Sequence, residues 1–266
     1  MRKRRKKTIQ DIDLMEELEY YRPAKKRRQI PQKYILAAVL VVLAGAAFLF
    51  SPFFAVKQIR SEHTEQFTTS ELCERIGLAQ GDNIILFNRS KAEDTLRQEP
   101  YILDARLIWE FPDTIVISLT ERKVRASVPY MGSYLYIDAE GRVLDIQDIA
   151  PVGLPLVQGL QFSGFHLGEI LEVENEASLS VMLQISQIIE KNEITDVAVE
   201  LNVAEPDNIT ATVNQVQVLL GGMQNMDQKI PLMAAVMETI PKEDRGTLDL
   251  SDVTSASDRI IFQYLM

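Results

Sequence analysis

One cysteine, two histidines and one tryptophan are spread over 266 residues, and each scarcity excludes a kind of chemistry. A lone Cys73 cannot close an internal disulfide. An exported eukaryotic body of this size usually carries several bridges, so their absence points to a bacterial exterior where the core alone supplies stability. His63 and His166 stand about a hundred residues apart, and neither has a zinc-ligand spacing around it. There is no G-x-S-x-G or S-x-x-K nucleophile signature and no P-loop. Cys73 sits beside Leu72 and Ile76 and reads as a small apolar helix residue rather than a nucleophile. Glu172, Glu174 and Glu176 alternate ahead of a helix, where acids serve its N-terminus and solvent; the competing reading is a cation site or a glycosidase pair. Asn88-Arg89-Ser90 and Asn208-Ile209-Thr210 fit a glycosylation triplet that is common by chance. The sequence assigns no catalytic, cofactor-binding or metal-ligating residue.

Positive charge is scarce after residue 33. Residues 1–33 hold twelve Lys/Arg against five Asp/Glu, a net +7, whereas the rest holds sixteen against thirty-three, a net −17. The overall −10 therefore hides two regions of opposite sign. An acidic body has no basic face for phosphate contacts, so no nucleic-acid partner is expected there.

Between the two regions lies the one long hydrophobic run, Tyr34 to Phe50, without a charged residue. With Ser51-Pro52-Phe53-Phe54 it reaches about 20 residues, or about 30 Å as a helix, the thickness of a bilayer's hydrocarbon core. Lys25-Lys26-Arg27-Arg28 and Lys33 precede it, and Tyr34 suits an interface position. A leader of over thirty residues and bulky Phe53 two positions before Ala55 speak against a cleaved signal peptide. The run reads as a retained anchor over 34–54. The positive-inside rule places the tail 1–33 in the cytoplasm and about 210 residues outside. The tail itself reads as a disordered topology signal, or as a contact with anionic lipid through its basic clusters.

After the anchor, residues 55–61 alternate as a short strand. Thr68-x-x-Glu71 has capping-box spacing ahead of Leu72, Cys73 and Ile76, with Gly77 as the stop. Asn88 or Ser90 caps a second helix carrying Ala92 and Leu96. Ile102 to Trp109 alternates with Leu103, Ala105, Leu107 and Trp109 on one side, and Ile115, Ile117 and Leu119 oppose Val116, Ser118 and Thr120 in the next strand. The order strand–helix–helix–strand–strand makes a small α+β module over 55–125.

Residues 126–250 read as a second, mixed α/β domain with a mainly antiparallel sheet. Tyr134 to Asp138 turns at Gly141 into Val143-Leu144, and a loop-rich stretch with short strands follows. Val181, Met182, Ile185, Ile188 and Ile189 form one helical stripe, and Ile230, Met233, Ala234, Met237 and Ile240 another. The methionines read as core packing. Val197, Val199, Leu201 and Val203 alternate with Asp196, Glu200 and Asn202; residues 211–213 and 216–220 continue the sheet, and Leu248 and Leu250 flank Asp249 in a late strand. In the tail 251–266, Ile260 to Leu265 reads as a terminal strand or a partner-binding segment.

Taken together, Val56-Lys57-Gln58-Ile59-Arg60-Ser61, Thr68 to Leu72, Gly81 to Asn88, Pro100 to Leu107, Trp109 to Arg122 and Tyr134 to Leu144 resemble the POTRA domain and second-domain start of the FtsQ/DivIB family. Leu154 to Val157, Leu219-Leu220-Gly221 with Lys229, and Leu248-Asp249-Leu250 continue the resemblance, which covers roughly 34–252. Ser61-Glu62 stand where that family commonly has Gly, and Val124 where Pro often follows Glu-Arg-x. The resemblance implies a single-pass type II membrane protein at the bacterial division septum, without enzymatic activity. The partners it implies are short FtsL-like and FtsB/DivIC-like coiled-coil proteins and the septal peptidoglycan synthases. It also implies partner capture at the end of the second domain, here Asp249, Leu250, Ser251, Asp252 and Val253, where an edge strand accepts a partner segment. Two other classes share parts of the pattern: a POTRA-like transport or sensor component, and an anchored cell-wall enzyme, for which the sequence offers no set of catalytic groups.

Overall fold

The computed structural model describes residues 31–194, 199–254 and 260–265. The basic clusters of the leader lie outside them, as do Asp196 and Val197 of the expected strand. The chain divides into two compact units, one ending at Ser51 and one starting at Pro52.

The first unit presents helix α1 (Gln32–Leu49), begun by Pro31 at the N-cap, a residue whose missing N–H costs a helix start nothing. None of its side chains is buried. The segment Gln32–Phe54 is long and apolar enough to cross a membrane.

The second unit contains two hydrophobic cores. The first is built by strand β1 (Gln58–Glu62), helices α2 (Thr69–Ile76) and α3 (Arg89–Leu96), and strands β2 (Ile102–Glu110) and β3 (Thr114–Glu121). The sheet order is β1-β3-β2, with β1 parallel and β2 antiparallel to the central strand. An eight-residue helix is marginal alone, so its caps matter. Thr68 and Glu71 close the capping box, Gly77 ends α2 in the left-handed region, and Asn88, not Ser90, caps α3. Two side-chain expectations fail. Leu103 is exposed and Ile102 buried, because the register shifts between Ile102 and Asp104 and a bulge re-aims the side chain. Val116 is buried on the face expected to be polar, since β3 is central and Val116 lies between Arg60 and Ile108 of its neighbours.

The second core is organised on a nine-stranded sheet. Its strands are β4 (Ala126–Tyr130), β5 (Ser133–Ile137), β6 (Val143–Gln147), β7 (Leu156–Gln158), β8 (Val199–Asn202), β9 (Ile209–Val213), β10 (Val216–Gly221), β11 (Gly246–Asp249) and β12 (Ile261–Tyr264). The order is β12-β11-β10-β9-β8-β7-β4-β5-β6. Five of its eight strand pairings are antiparallel. Parallel neighbours need a crossover, and α4 (Glu176–Lys191) and α5 (Met226–Met237) supply those joining β7 to β8 and β10 to β11. Met182, Met226, Met233 and Met237 are buried among the sheet's inward residues. Strand β4 goes unmarked in the sequence because Pro129 lies in it. Pro129 is tolerated because β4 pairs β7 only at Ser127, so the missing N–H disturbs no ladder on that side.

Candidate functional site

The two cores are joined by an ion pair at the end of β3. Arg122, at the end of β3, donates from Nη1 to Asp138 Oδ2 at 2.7 Å and also to the Glu140 carboxylate. Asp138 is almost fully buried, and its other oxygen accepts the N–H groups of Glu140 (2.9 Å) and Arg142 (2.8 Å). Beside this junction burial pushes the Tyr101 hydroxyl up to about 12, with Asp145 and Tyr136 adding to the shift. A broad cleft opens here, lined in part by Glu65, Glu121, Lys123 and Pro151. Glu121 is engaged by the backbone N–H groups of Glu65 and Gln66, so the cleft offers no free carboxylate pair.

The residues considered for chemistry stay apart. Among the described residues no group of three His, Cys, Asp or Glu is placed to hold a metal ion. His166 lies exposed, with Glu169 as its neighbour at 3.7 Å. Cys73 is half-buried, and burial pushes its thiol up, away from the thiolate. Glu172 and Glu174 are exposed on the loop before α4, and Glu176 lies in its first turn, which Asn175 caps.

The two ends of the large sheet differ. At the β6 end, the segment 168–171 lies against the outer side: Val143 donates to the Glu169 carbonyl (2.9 Å) and accepts from Gly168 N–H (2.8 Å). At the other end β12 pairs with β11, and among the described residues no strand follows it in the order. Leu265 donates to the Arg245 carbonyl at 3.0 Å. By antiparallel alternation Gln263 and Ile261 also turn their backbone groups toward β11, so those of Phe262 and Tyr264 point away from the sheet. Gly246 makes the pairing possible. A Cβ there would stand 2.4 Å from Phe262 Cζ and 2.5 Å from the Gln263 carbonyl oxygen. The Phe262 ring covers the glycine and meets the Tyr264 ring edge-on at 4.6 Å.

The five residues singled out from the sequence form the turn leaving β11. Asp249 Oδ1 accepts from Ser251 N–H (3.0 Å) and Oγ–H (2.7 Å), and these bonds, more than the nearby Lys229 ammonium, hold its carboxyl below the usual carboxylate range. Leu250 donates to the Leu219 carbonyl at 2.8 Å. Leu250 and Val253 are core residues, 0% and 5% exposed, whereas Asp249 and Asp252 face solvent and Ser251 is half-buried. Lys229, in the first turn of α5, completes the turn from below. It is 1% exposed, and its Nζ donates to the carbonyls of Leu220 (2.7 Å) and Ser251 (2.8 Å). Burial pushes its pKa down, opposed by Asp252 and Asp249. From the residues themselves, a reader of the sequence could have marked Lys229 by its place among apolar neighbours spaced to face the core.

Comparison with known proteins covers both cores. Residues 54–122 match the POTRA domain, FtsQ-type, and residues 128–252 match the FtsQ/DivIB C-terminal domain of cell division proteins. The chain is 24% identical over 197 residues to cell division protein DivIB of Clostridium tetani, covering 74% of this chain and 73% of the relative. It is 20% identical over 242 residues to DivIB of Clostridium botulinum strain Hall, covering 90% and 94%. Cell division protein FtsQ of Streptomyces bingchenggensis is 25% identical over 233 residues, covering 84% and 85%. The two domain matches stand in consecutive order behind a single apolar helix, and the chain belongs to the FtsQ/DivIB family of cell division proteins.

Proposed function

We propose that this chain is a non-enzymatic scaffold of the division machinery, anchored by α1 with its acidic body outside the cell, and that it captures an extended segment of a partner along β12. The observation that carries the reading is the asymmetry of the nine-stranded sheet. One outer strand is covered at its first residue, Val143, by residues 168–171, while the other leaves the backbone groups of Phe262 and Tyr264 directed outward. An edge of this kind gives main-chain hydrogen bonds to any extended partner, and the exposed side chains of Ile261 and Tyr264 supply selectivity. Asp249 and Asp252, on the surface of the adjoining turn, favour a partner with basic flanks. The family resemblance makes short FtsL-like and FtsB/DivIC-like coiled-coil proteins the candidates for the captured segment, and septal peptidoglycan synthases the machinery to which the assembly is linked. On this reading the protein collects at the septum.

The test is recovery of partners from membranes with the full chain as bait. Tyr264→Pro removes one outward N–H and no inward bond, a change an edge strand tolerates. It is expected to abolish recovery of the coiled-coil partners while leaving the thermal unfolding of the body unchanged. Undiminished recovery would overturn the edge assignment. Substitutions at Val253 are unsuited to this purpose, since that side chain is core and its loss perturbs the fold.

A further inference from the structure

Lys229 is placed against the rules that normally govern a lysine. It stands in the first turn of α5, where the helix dipole disfavours a cation, and it is 1% exposed. A buried ammonium is costly unless its donors are all engaged. Here two of them meet backbone carbonyls, at the end of β10 (Leu220) and in the turn after β11 (Ser251). The charge is balanced through space by Asp249 and Asp252. Everything around the turn converges on the same point. Gly221, at φ +68°, brings its backbone close enough that a Cβ would lie 3.2 Å from Ser251 Cβ. Asp249 fixes Ser251 from the solvent side. Leu250 and Val253 fill the core on either side of it.

We infer that Lys229 is a positioning residue for the partner edge: its ammonium ties the turn 249–253 to the end of β10 and so sets where the returning strand β12 lies on β11. The inference rests on the reading of β12 as the capture edge, but its first measurement does not. A purely hydrophobic side chain would fill the volume equally well; linking the carbonyl at the end of β10 to the one in the turn after β11 takes a side chain with more than one donor. Both carbonyls accept from the one ammonium, a link that a side chain without donors cannot make.

The experiment is amide hydrogen exchange on the full chain in detergent micelles, without partner, comparing wild type with Lys229→Met and Lys229→Arg. Loss of a charged hydrogen bond corresponds to a change of about tenfold or more in local opening. Lys229→Met is expected to raise exchange across 261–265 by about that factor while leaving β2 and β3 unchanged, and Lys229→Arg to restore part of the protection. Should Lys229→Met not fold, Asp249→Ala loosens the same turn from its exposed side and is expected to raise exchange at 261–265 alone. Unchanged exchange at 261–265 in these variants overturns the inference. Raised exchange with undiminished partner recovery leaves Lys229 as the clamp of β12 and overturns the capture edge instead.

Discussion

At the scale of single residues, charged side chains in buried places carry the most information, and the sequence marks them least. Arg122 and Asp138 belong to different cores, sixteen positions apart, and nothing in either neighbourhood announces their pairing. Removing one partner leaves the other buried and uncompensated, an effect of about 3 kcal/mol. Arg122→Met is therefore expected to lower the unfolding free energy of the body, read from urea titration, by that amount. Glu140→Gln, altering the exposed member of the cluster, should cost under about 1 kcal/mol. Equal effects of the two variants would argue that the buried pair is not what joins the cores. Hydrophobic residues were easier to place, because a period of two or 3.6 identifies the inward side. The reading fails at Leu103, where one extra residue in a bulge shifts the period. It fails at Val116 because a central strand is covered on both faces by its neighbours' side chains. Neither effect is local in sequence.

At the scale of elements, those with their own punctuation were legible. Thr68, Gly77 and Asn88 set the ends of α2 and α3 in sequence and in structure alike. Elements that depend on distant partners were not. Pro129 hides β4, whereas α5, legible from its apolar stripe, contains Pro231 and persists because Met226, Ile230, Met233 and Met237 pack its inner face. The terminal segment was ambiguous between a strand and a partner-binding tail, and only the adjoining β11 shows it as a strand. Gly246 is the residue through which that pairing is made. Gly246→Ala places a methyl group against the Phe262 ring and the Gln263 backbone, and a backbone atom cannot swing aside. The expected outcome is detachment of β12 with the rest of the sheet intact. Limited proteolysis should then cut within 261–265 at least about tenfold faster, while the far-ultraviolet circular dichroism of the body changes little. Resistance to proteolysis equal to wild type would mean that β12 does not need the close approach seen here.

At the scale of the whole molecule, the division of charge is the property that sequence gives most directly and coordinates least. Twelve basic residues crowd into the first 33 positions, and the remaining chain carries a net −17. Orientation in the membrane follows the basic residues close to the span rather than the acids beyond it. Lys25, Lys26, Arg27, Arg28 and Lys33 lie within ten positions of Tyr34 and are the ones that count. Wild-type chains in wall-stripped cells are expected to lose the entire body to added protease, leaving a fragment that holds the leader and α1. Replacing those five residues by Gln leaves Arg22 and the distal cluster Arg2 to Lys7 to hold the leader inside, and a measurable fraction should then insert reversed, with its body protected. The two populations are separable on one gel by tags at either end. If the wild-type body is protected from outside, the sheet edge at β12 faces the cytoplasm, and a partner captured there would have to be cytoplasmic. If the five-residue variant inserts as the wild type does, the distal cluster or the fold of the body sets the orientation, and the juxtamembrane lysines and arginines serve the lipid surface alone.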